Sequence, residues 1–190
     1  MYNEKNHSYL DGQLLIATPS MTDPRFEKAV ILVCVHNAEG AMGIIINKLF
    51  ADIDFKKLIS ELNITSTEHT GKLDIHFGGP VEIGYGFVLH SKETIFEGSL
   101  PINDQISLNT SIDMIRMLAT GNGPENALLA LGYAGWGAGQ LEEELIQNSW
   151  LHAPYDKTLV FCADIKDKWH AALSSIGVEL STLSDSIGRA

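Results

Sequence analysis

Hydrophobic residues in this chain fall mainly in short runs with the two-residue period of β-strands. Residues 30–36 are apolar at nearly every position, which predicts a central strand that is buried on both faces. A turn signal at residues 37–40 connects this strand to residues 43–47, so the two segments form a predicted hairpin. Further strands are predicted over residues 14–17, 87–90, 94–108 (several short strands), 127–131 and 159–162.

Residues 73–77 show the cleanest alternation in the chain. Leucine, isoleucine and phenylalanine occupy one face, and Asp74 and His76 occupy the other. This pattern predicts a half-buried strand whose polar face lies in water. Asp74 and His76 are therefore interpreted as a solvated pair rather than as catalytic groups.

Four segments carry helical signals. Asp52 is positioned to cap a helix over residues 53–62, where apolar side chains recur at i, i+3, i+4 and i+7. Residues 109–111 offer three capping side chains for a helix that ends at Gly121. The other two predicted helices cover residues 140–148 and 165–176. Because the helices stand between hairpins and do not alternate regularly with strands, the order of elements predicts an α+β fold with a mostly antiparallel sheet.

The length and composition of the chain limit the number of domains, the kinds of partner and the cellular location that are expected. The length suits one domain over residues 1–190, with residues 1–10 as a loose N-terminal arm. The formal net charge of −11 repels phosphate backbones and anionic membrane surfaces, so direct nucleic-acid binding is disfavoured. The N-terminus is unlike a signal peptide and no apolar run is long enough to span a membrane, which predicts a cytoplasmic protein. Cys34 and Cys162 lie in apolar runs and are predicted to be buried, reduced thiols.

A glycine-rich stretch over residues 131–145 is the most distinctive part of the sequence. It lacks the spacing of a phosphate-binding loop, and the acidic residues 142–144 that follow it would repel a phosphate. We interpret it as a tight junction between a strand and a helix, with Trp136 as a plug. Residues 142–144 are interpreted as an exposed helix face.

The histidines show no metal-binding spacing, and the G-x-S-x-G motif of hydrolases is absent. His36 and His90 each end an apolar run, so they either share one rim of the fold or serve as hydrogen-bonded strand ends. Asn47 and Asn126 flank apolar runs in the same way, and each either satisfies a turn or lines a pocket.

Three blocks of sequence resemble the AlgH/YqgE family of bacterial proteins. They are residues 14–47, residues 77–90, and residues 131–145 together with 148–151. The resemblance implies a bifurcated, strongly curved sheet that curls into a pseudo-barrel flanked by helices. It also implies a regulatory role, because the family name comes from a proposed role in alginate production and members are often labelled transcriptional regulators. The family brings no established catalytic residues, and neither a cofactor nor a metal is expected.

Four positions depart from the family pattern. Val35 replaces a glutamate, Tyr85 replaces an arginine, Leu49 replaces a proline, and Arg189 replaces a histidine. Three of these changes remove or replace an ionisable group. A reaction centre that relied on a Glu–His or Arg–His pair at these positions would lack one partner in this chain.

The leading hypothesis is a non-enzymatic regulatory protein that binds an unidentified protein or small molecule, through a groove near Gly78–Gly79–Pro80 and the glycine-rich stretch. The second hypothesis is an enzyme with His36 or His90 as general base and an acid such as Glu142 in a glycine-lined pocket. Direct DNA binding ranks last. The candidate binding surface comprises His36, Asn37, Asn47, Gly78, Gly79, His90, Trp136, Gln140 and Glu142.

Overall fold

The computed structural model describes residues 9–65, 67 and 73–178. Within these residues, nine strands form one sheet whose path runs β6-β7-β5-β8-β3-β2-β1-β9, and β4 pairs with β8 beside this path. All pairings are antiparallel except the one between β4 and β8. The strands are β1 (Leu14–Ala17), β2 (Val30–Asn37), β3 (Gly40–Ile45), β4 (Ile75–Phe77), β5 (Val81–Ser91), β6 (Leu100–Pro101), β7 (Ile106–Asn109), β8 (Ala127–Gly137) and β9 (Trp150–Ala153).

Strand β8 divides the sheet into two arms. Its first half pairs with β4 and β5, and its second half pairs with β3. Between the halves lies Gly132 at φ +74°, a backbone conformation that suits glycine, and a side chain there would collide with the carbonyl oxygen of Gly79. The α+β prediction and the bifurcated, curled, mostly antiparallel sheet are confirmed.

The helices pack on this sheet and begin at capping residues that the sequence marks. Asp54, and not Asp52, caps the first helix by accepting a hydrogen bond from the backbone N–H of Lys57 at 2.7 Å. Ser111 caps the second helix, which ends at the left-handed Gly121 as predicted. The helices are α1 (Phe55–Glu61), α2 (Ile112–Thr120), α3 (Gln140–Ile146) and α4 (Lys168–Ser175).

The apolar side chains form separate clusters on the two faces of the sheet. One cluster lies under α4 and includes Leu32 and Trp169. A second lies under α3 and includes Trp136 and Trp150, and a third lies under α1 and α2. No helix in the described ranges is both long enough and apolar enough to cross a membrane.

Several sequence predictions are wrong in detail. Residues 159–162 belong to a π-helical turn over Thr158–Cys162 and not to a strand, and Cys162 is exposed, whereas Cys34 is buried as predicted. Burial raises the pKa of the Cys34 thiol to about 12. The glycine-rich stretch continues β8 as far as Gly137 before the chain turns, and β9 was not predicted.

The N-terminal and β4 predictions also need correction. Residues 1–8 of the predicted N-terminal arm lie outside the described residues, and Leu10 is buried. His76 is only 7% exposed, so it does not form a solvated pair with Asp74. His76 lines one cavity together with residues of α4 and the π-helical turn, whereas Asp74 is exposed, and the alternation in sequence alone could not show this difference.

Candidate functional site

A cavity of about 650 Å³ lies between α3, β9 and the end of β2, and we call it the His36 cavity. Its walls are largely apolar, with a few polar groups from different elements. This size and composition are typical of small-molecule sites. The lining residues are Tyr9, Leu10, Gln13, His36, Glu142, Leu145, Ile146, Asn148, Trp150, Leu151, His152 and Ile176.

Both ring nitrogens of His36 have partners. The backbone N–H of Leu10 donates to Nδ1 at 3.1 Å, so Nδ1 carries the lone pair. Nε2 then carries the proton and donates it to Oε1 of Glu142, also at 3.1 Å. The His36 side chain is 3% exposed and the Glu142 side chain is 31% exposed. The histidine is therefore a buried support, and the carboxylate is the group that meets the solvent.

Glu142 takes its position from the start of α3. Gly139 precedes the helix at φ +75°, and the Gln140 side chain accepts a hydrogen bond from the backbone N–H of Gly137 at 3.0 Å. Leu141 is buried against the sheet, so the next residue, Glu142, is directed toward His36. Carboxylates in a first helical turn are also favoured by the helix dipole.

Glu144 lies at the centre of a second polar network on α3. Its Oε2 accepts hydrogen bonds from the indole N–H groups of Trp136 at 2.9 Å and Trp150 at 2.7 Å. Its Oε1 accepts from the Gln140 amide at 2.9 Å. The interpretation of residues 142–144 as an exposed face is therefore wrong for Glu142 and Glu144, and only Glu143 is exposed.

A neighbouring cavity of about 410 Å³ lies on the other side of this network and is lined by Trp136, Gln140 and Pro80 among others. Gly78 and Gly79 are buried against the backbone of β8, where a side chain on either would collide with main-chain atoms. These two glycines shape the junction by close packing, and they do not form a groove surface.

The structure separates the other predicted site residues. His90 pairs with Ala127 at the beginning of β8. His36 lies on β2, two strands away from Trp136 at the end of β8. The two histidines therefore do not share a rim. His90 is buried, with Nδ1 2.9 Å from the Ser91 carbonyl oxygen and Nε2 2.8 Å from the Ser99 hydroxyl.

The asparagines serve the backbone. Asn37 accepts from the backbone N–H of Glu39 in the β2–β3 turn. Asn47 accepts from the N–H of Val30 and donates to the carbonyl of Lys28, each at 2.8 Å. The backbone N–H of Asn126 donates to the Ser91 hydroxyl at 3.1 Å, and its side-chain amide donates to the same hydroxyl at 3.4 Å. Asn47 and Asn126 thus join segments that are distant in sequence, and neither lines the His36 cavity.

Three of the four positions that depart from the family pattern are exposed, namely Val35, Leu49 and Tyr85. Val35 is 44% exposed and Tyr85 is 66% exposed, the latter in a segment of β5 where residues 82–85 bulge away from β8. Neither residue lines the His36 cavity, and Arg189 lies outside the described residues. His36 therefore keeps a carboxylate partner in this chain, which is Glu142.

The arrangement is suited to binding. A general base needs a free lone pair, and the lone pair of His36 is occupied by the N–H of Leu10. Among the residues that line this cavity in the described part of the chain, none is a serine, cysteine or lysine nucleophile. Likewise, the described ranges contain no group of three His, Cys, Asp or Glu side chains arranged to hold a metal ion.

The fold and the site define an α+β protein with a bifurcated sheet and a cavity beside the glycine-rich stretch. The model of the AlgH-like family, DUF179, matches residues 14–181. The chain belongs to this family. It is 46% identical over 187 residues to a UPF0301 protein of Rhodospirillum rubrum, covering 98% of this chain and 97% of that protein. It is 48% identical over 190 residues to a UPF0301 protein of a Bradyrhizobium species, covering 96% and 88%.

Solved structures agree with this assignment. The solution structure of AlgH from Pseudomonas aeruginosa is 36% identical, covers 100% of both chains and has a TM-score of 0.78. A crystal structure of a protein from Corynebacterium diphtheriae is 20% identical, covers 86% of this chain and 85% of that one, and has a TM-score of 0.69. The second likeness concerns the fold alone.

Sequence reasoning missed Lys168 and wrongly placed His76 in solvent, and both residues lie outside this site. Lys168 is 2% exposed and, with His76, lines a third cavity of about 230 Å³. The only signal in the sequence was a lysine one residue before Trp169 at the start of an amphipathic helix, a pattern that ordinarily indicates a solvated lysine.

Proposed function

We propose that this protein is a cytoplasmic regulatory protein that acts by binding a small molecule in the His36 cavity, and not by catalysis. The observation that carries the proposal is the His36–Glu142 pair, in which the buried histidine is fully hydrogen-bonded and holds a carboxylate at the cavity wall. Pre-orientation of one charged group in an apolar cavity favours selective binding, because little side-chain entropy is lost when the ligand arrives.

The chemistry of the cavity indicates the class of ligand. Glu142 offers an acceptor to a cationic or hydrogen-bond-donating group, and Leu145, Leu151 and Ile176 offer apolar surface. The net charge of −11 raises the local concentration of cations and lowers that of anions. An amine on an apolar body of small-molecule size is therefore the ligand that this cavity suits best. A link to transcription would run through such a ligand or a protein partner, since the acidic surface disfavours direct contact with DNA.

Thermal unfolding in the presence of small amines tests this proposal. We would compare 2-phenylethylamine and octylamine with the uncharged 3-phenylpropanol and octanol. A ligand at 100 times its dissociation constant adds about 2.7 kcal/mol, which raises the midpoint of a domain of this size by roughly 5–10 °C. The amines are expected to give the larger shift.

Variants of α3 identify the site. Glu142→Gln is expected to abolish the preference for amines, and Glu143→Gln, an exposed neighbour in the same helical turn, is expected to keep it. A flat response to all four compounds, with binding of a basic peptide instead, would move the proposal from a small molecule to a protein partner. Equal responses of the two variants would exclude Glu142 as the recognition group.

An enzymatic alternative has one observation in its favour. His36 and Glu142 are within hydrogen-bond reach at the wall of a concave cavity, as a general-base mechanism requires. The contact from Leu10 to Nδ1 weakens this alternative, because the base would first have to lose that hydrogen bond. Turnover that is lost in both His36→Gln and Glu142→Gln would favour it.

A further inference from the structure

Lys168 is a buried amine with an unusual partner. It is the first residue of α4, and its Nζ donates to the carbonyl oxygen of Val160 in the π-helical turn. That turn closes with a hydrogen bond from the N–H of Ala163 to the carbonyl of Thr158 at 2.9 Å. The π-helical turn therefore leaves the Val160 carbonyl oxygen available to the lysine, and single π-turns are frequent at functional sites.

No carboxylate lies within ion-pair distance of Lys168 among the residues that the structure describes. Desolvation accordingly lowers the pKa of this amine to about 8, and the exposed Cys162 offsets that effect only in part. Lysines in such surroundings carry more neutral amine at neutral pH than exposed lysines do, which is the property that nucleophilic lysines need.

His76 is the second basic group in this region. Its Nδ1 lies 3.3 Å from the carbonyl oxygen of Leu129, so Nδ1 carries the proton and Nε2 keeps its lone pair. Burial, together with the nearby charge of Lys168, lowers the pKa of His76 to about 4. The imidazole is therefore neutral at physiological pH, and Nε2 is available as a hydrogen-bond acceptor.

The cavity beside these groups has about 230 Å³, which is room for on the order of seven water molecules or a compound of a few carbon atoms. Asp74 and Asp164 also line it. Their carboxylates repel anions and accept hydrogen bonds from hydroxyl groups. The cavity thus combines an amine, a neutral imidazole that accepts hydrogen bonds, and two carboxylates that favour a neutral, hydroxyl-bearing compound.

We propose that Lys168 is a reactive amine that forms a Schiff base with a small, neutral, hydroxyl-bearing aldehyde or ketone in this cavity. The ammonium first gives up a proton to solvent. The lone pair of Nζ then attacks the carbonyl carbon as the π electrons of the C=O bond move to oxygen. The resulting carbinolamine loses that oxygen as water, and the product is an imine between Nζ and the former carbonyl carbon.

The test is reductive trapping with glycolaldehyde and cyanoborohydride at pH 7.5, followed by peptide mapping by mass spectrometry. Lys168 is expected to be modified at least about tenfold faster than Lys166, an exposed lysine two residues earlier, because burial lowers the pKa of the Lys168 amine. Glyoxylate, which is anionic, is expected to react more slowly than glycolaldehyde at Lys168 but not at Lys166.

Two controls separate reactivity from accessibility. In protein unfolded by guanidinium the preference for Lys168 is expected to disappear. In the folded protein the labelling rate of Lys168 is expected to level off just above pH 8. A Lys168 that stays unmodified while Lys166 reacts, or that reacts at the same rate with the same pH profile, would overturn the proposal. Lys168→Arg is expected to remove the fast-labelling site, and Lys166→Arg to leave it.

Discussion

His36 and His76 are both buried histidines on strands, yet they stand in opposite electrostatic surroundings. A carboxylate faces His36, and an ammonium lies near His76. The pair of His36 and Glu142 is closed, since each ring nitrogen has a partner within 3.1 Å. The pair of His76 and Lys168 is open, since neither group has an acidic partner within ion-pair distance in the described ranges.

Because of this difference, the two regions are expected to differ in ligand binding, in chemical reactivity and in their contribution to stability. A closed pair holds its carboxylate in one orientation, which suits selective binding. An open pair of basic groups costs stability, because a charge without a counter-charge is poorly solvated in the interior. The same cost keeps the amine partly neutral, and this makes it available for chemistry. The two regions can therefore be told apart by how their stability responds to substitution and to pH.

The largest expected effect comes from the closed network on α3. Glu144→Ala leaves the indole N–H groups of Trp136 and Trp150 without an acceptor, and these side chains are 7% and 2% exposed. Each unsatisfied donor costs about 1–3 kcal/mol, so a loss of about 4 kcal/mol is expected in urea unfolding. Glu143→Ala is the matched control and is expected to change stability by less than about 0.5 kcal/mol. Equal effects of the two variants would show that the network is not closed in solution.

The second-largest effect is expected for His76 in the open region, and it concerns how the free energy of unfolding changes at acidic pH. The pKa of His76 is depressed from 6.5 to about 4 in the folded protein, so the unfolded chain binds more protons between these values. The free energy of unfolding therefore keeps the full contribution of the neutral His76 above pH 6.5. It is expected to fall by about 3 kcal/mol as the pH is lowered toward 4. His76→Gln is expected to remove this part of the pH dependence. An unchanged acid profile in that variant would contradict the burial of a neutral histidine.

Part of the fold could be predicted from the sequence for specific physical reasons. The hairpin β2–β3 follows from an apolar run and a turn signal, and α2 follows from Ser111 and Gly121, which are local signals. The error at residues 159–162 has the opposite origin. A short apolar run is compatible with a buried strand or a buried helical turn, and only packing against α4 decides between them.

The candidate site was predictable in part. His36 and Glu142 were each singled out by position, yet their contact joins residues 106 apart in sequence, which periodicity cannot reveal. Glu144 was missed because an acidic run ordinarily marks a solvated face, and its two indole partners lie on separate strands. Lys168 was missed for the same reason, since burial of a lysine depends on tertiary contacts alone.

A third prediction isolates Lys168. The pKa of its amine is lowered from 10.5 to about 8, so the folded protein releases this proton at a pH where the unfolded chain still holds it. The stability of the wild type should therefore rise between pH 7 and 9 by about 1.4 kcal/mol relative to Lys168→Met, which keeps the apolar stem. The comparison of the two proteins cancels other groups that titrate in this range, such as thiols. Parallel curves for wild type and variant would show that Lys168 is solvated.

The smallest effect is expected for Glu142→Gln. The glutamine amide oxygen still accepts the hydrogen bond from Nε2 of His36, and the Glu142 side chain is 31% exposed, so solvent screens much of the charge interaction. A loss of about 0.5 kcal/mol is expected in urea unfolding. The closed pair would then be weakly stabilising, with its carboxylate available to a ligand. A loss above about 2 kcal/mol would instead mean that the carboxylate is needed for folding. In that case only the open region would keep a charged group, Lys168, that is free to contact a ligand. Binding would then be expected at Lys168 and not at Glu142.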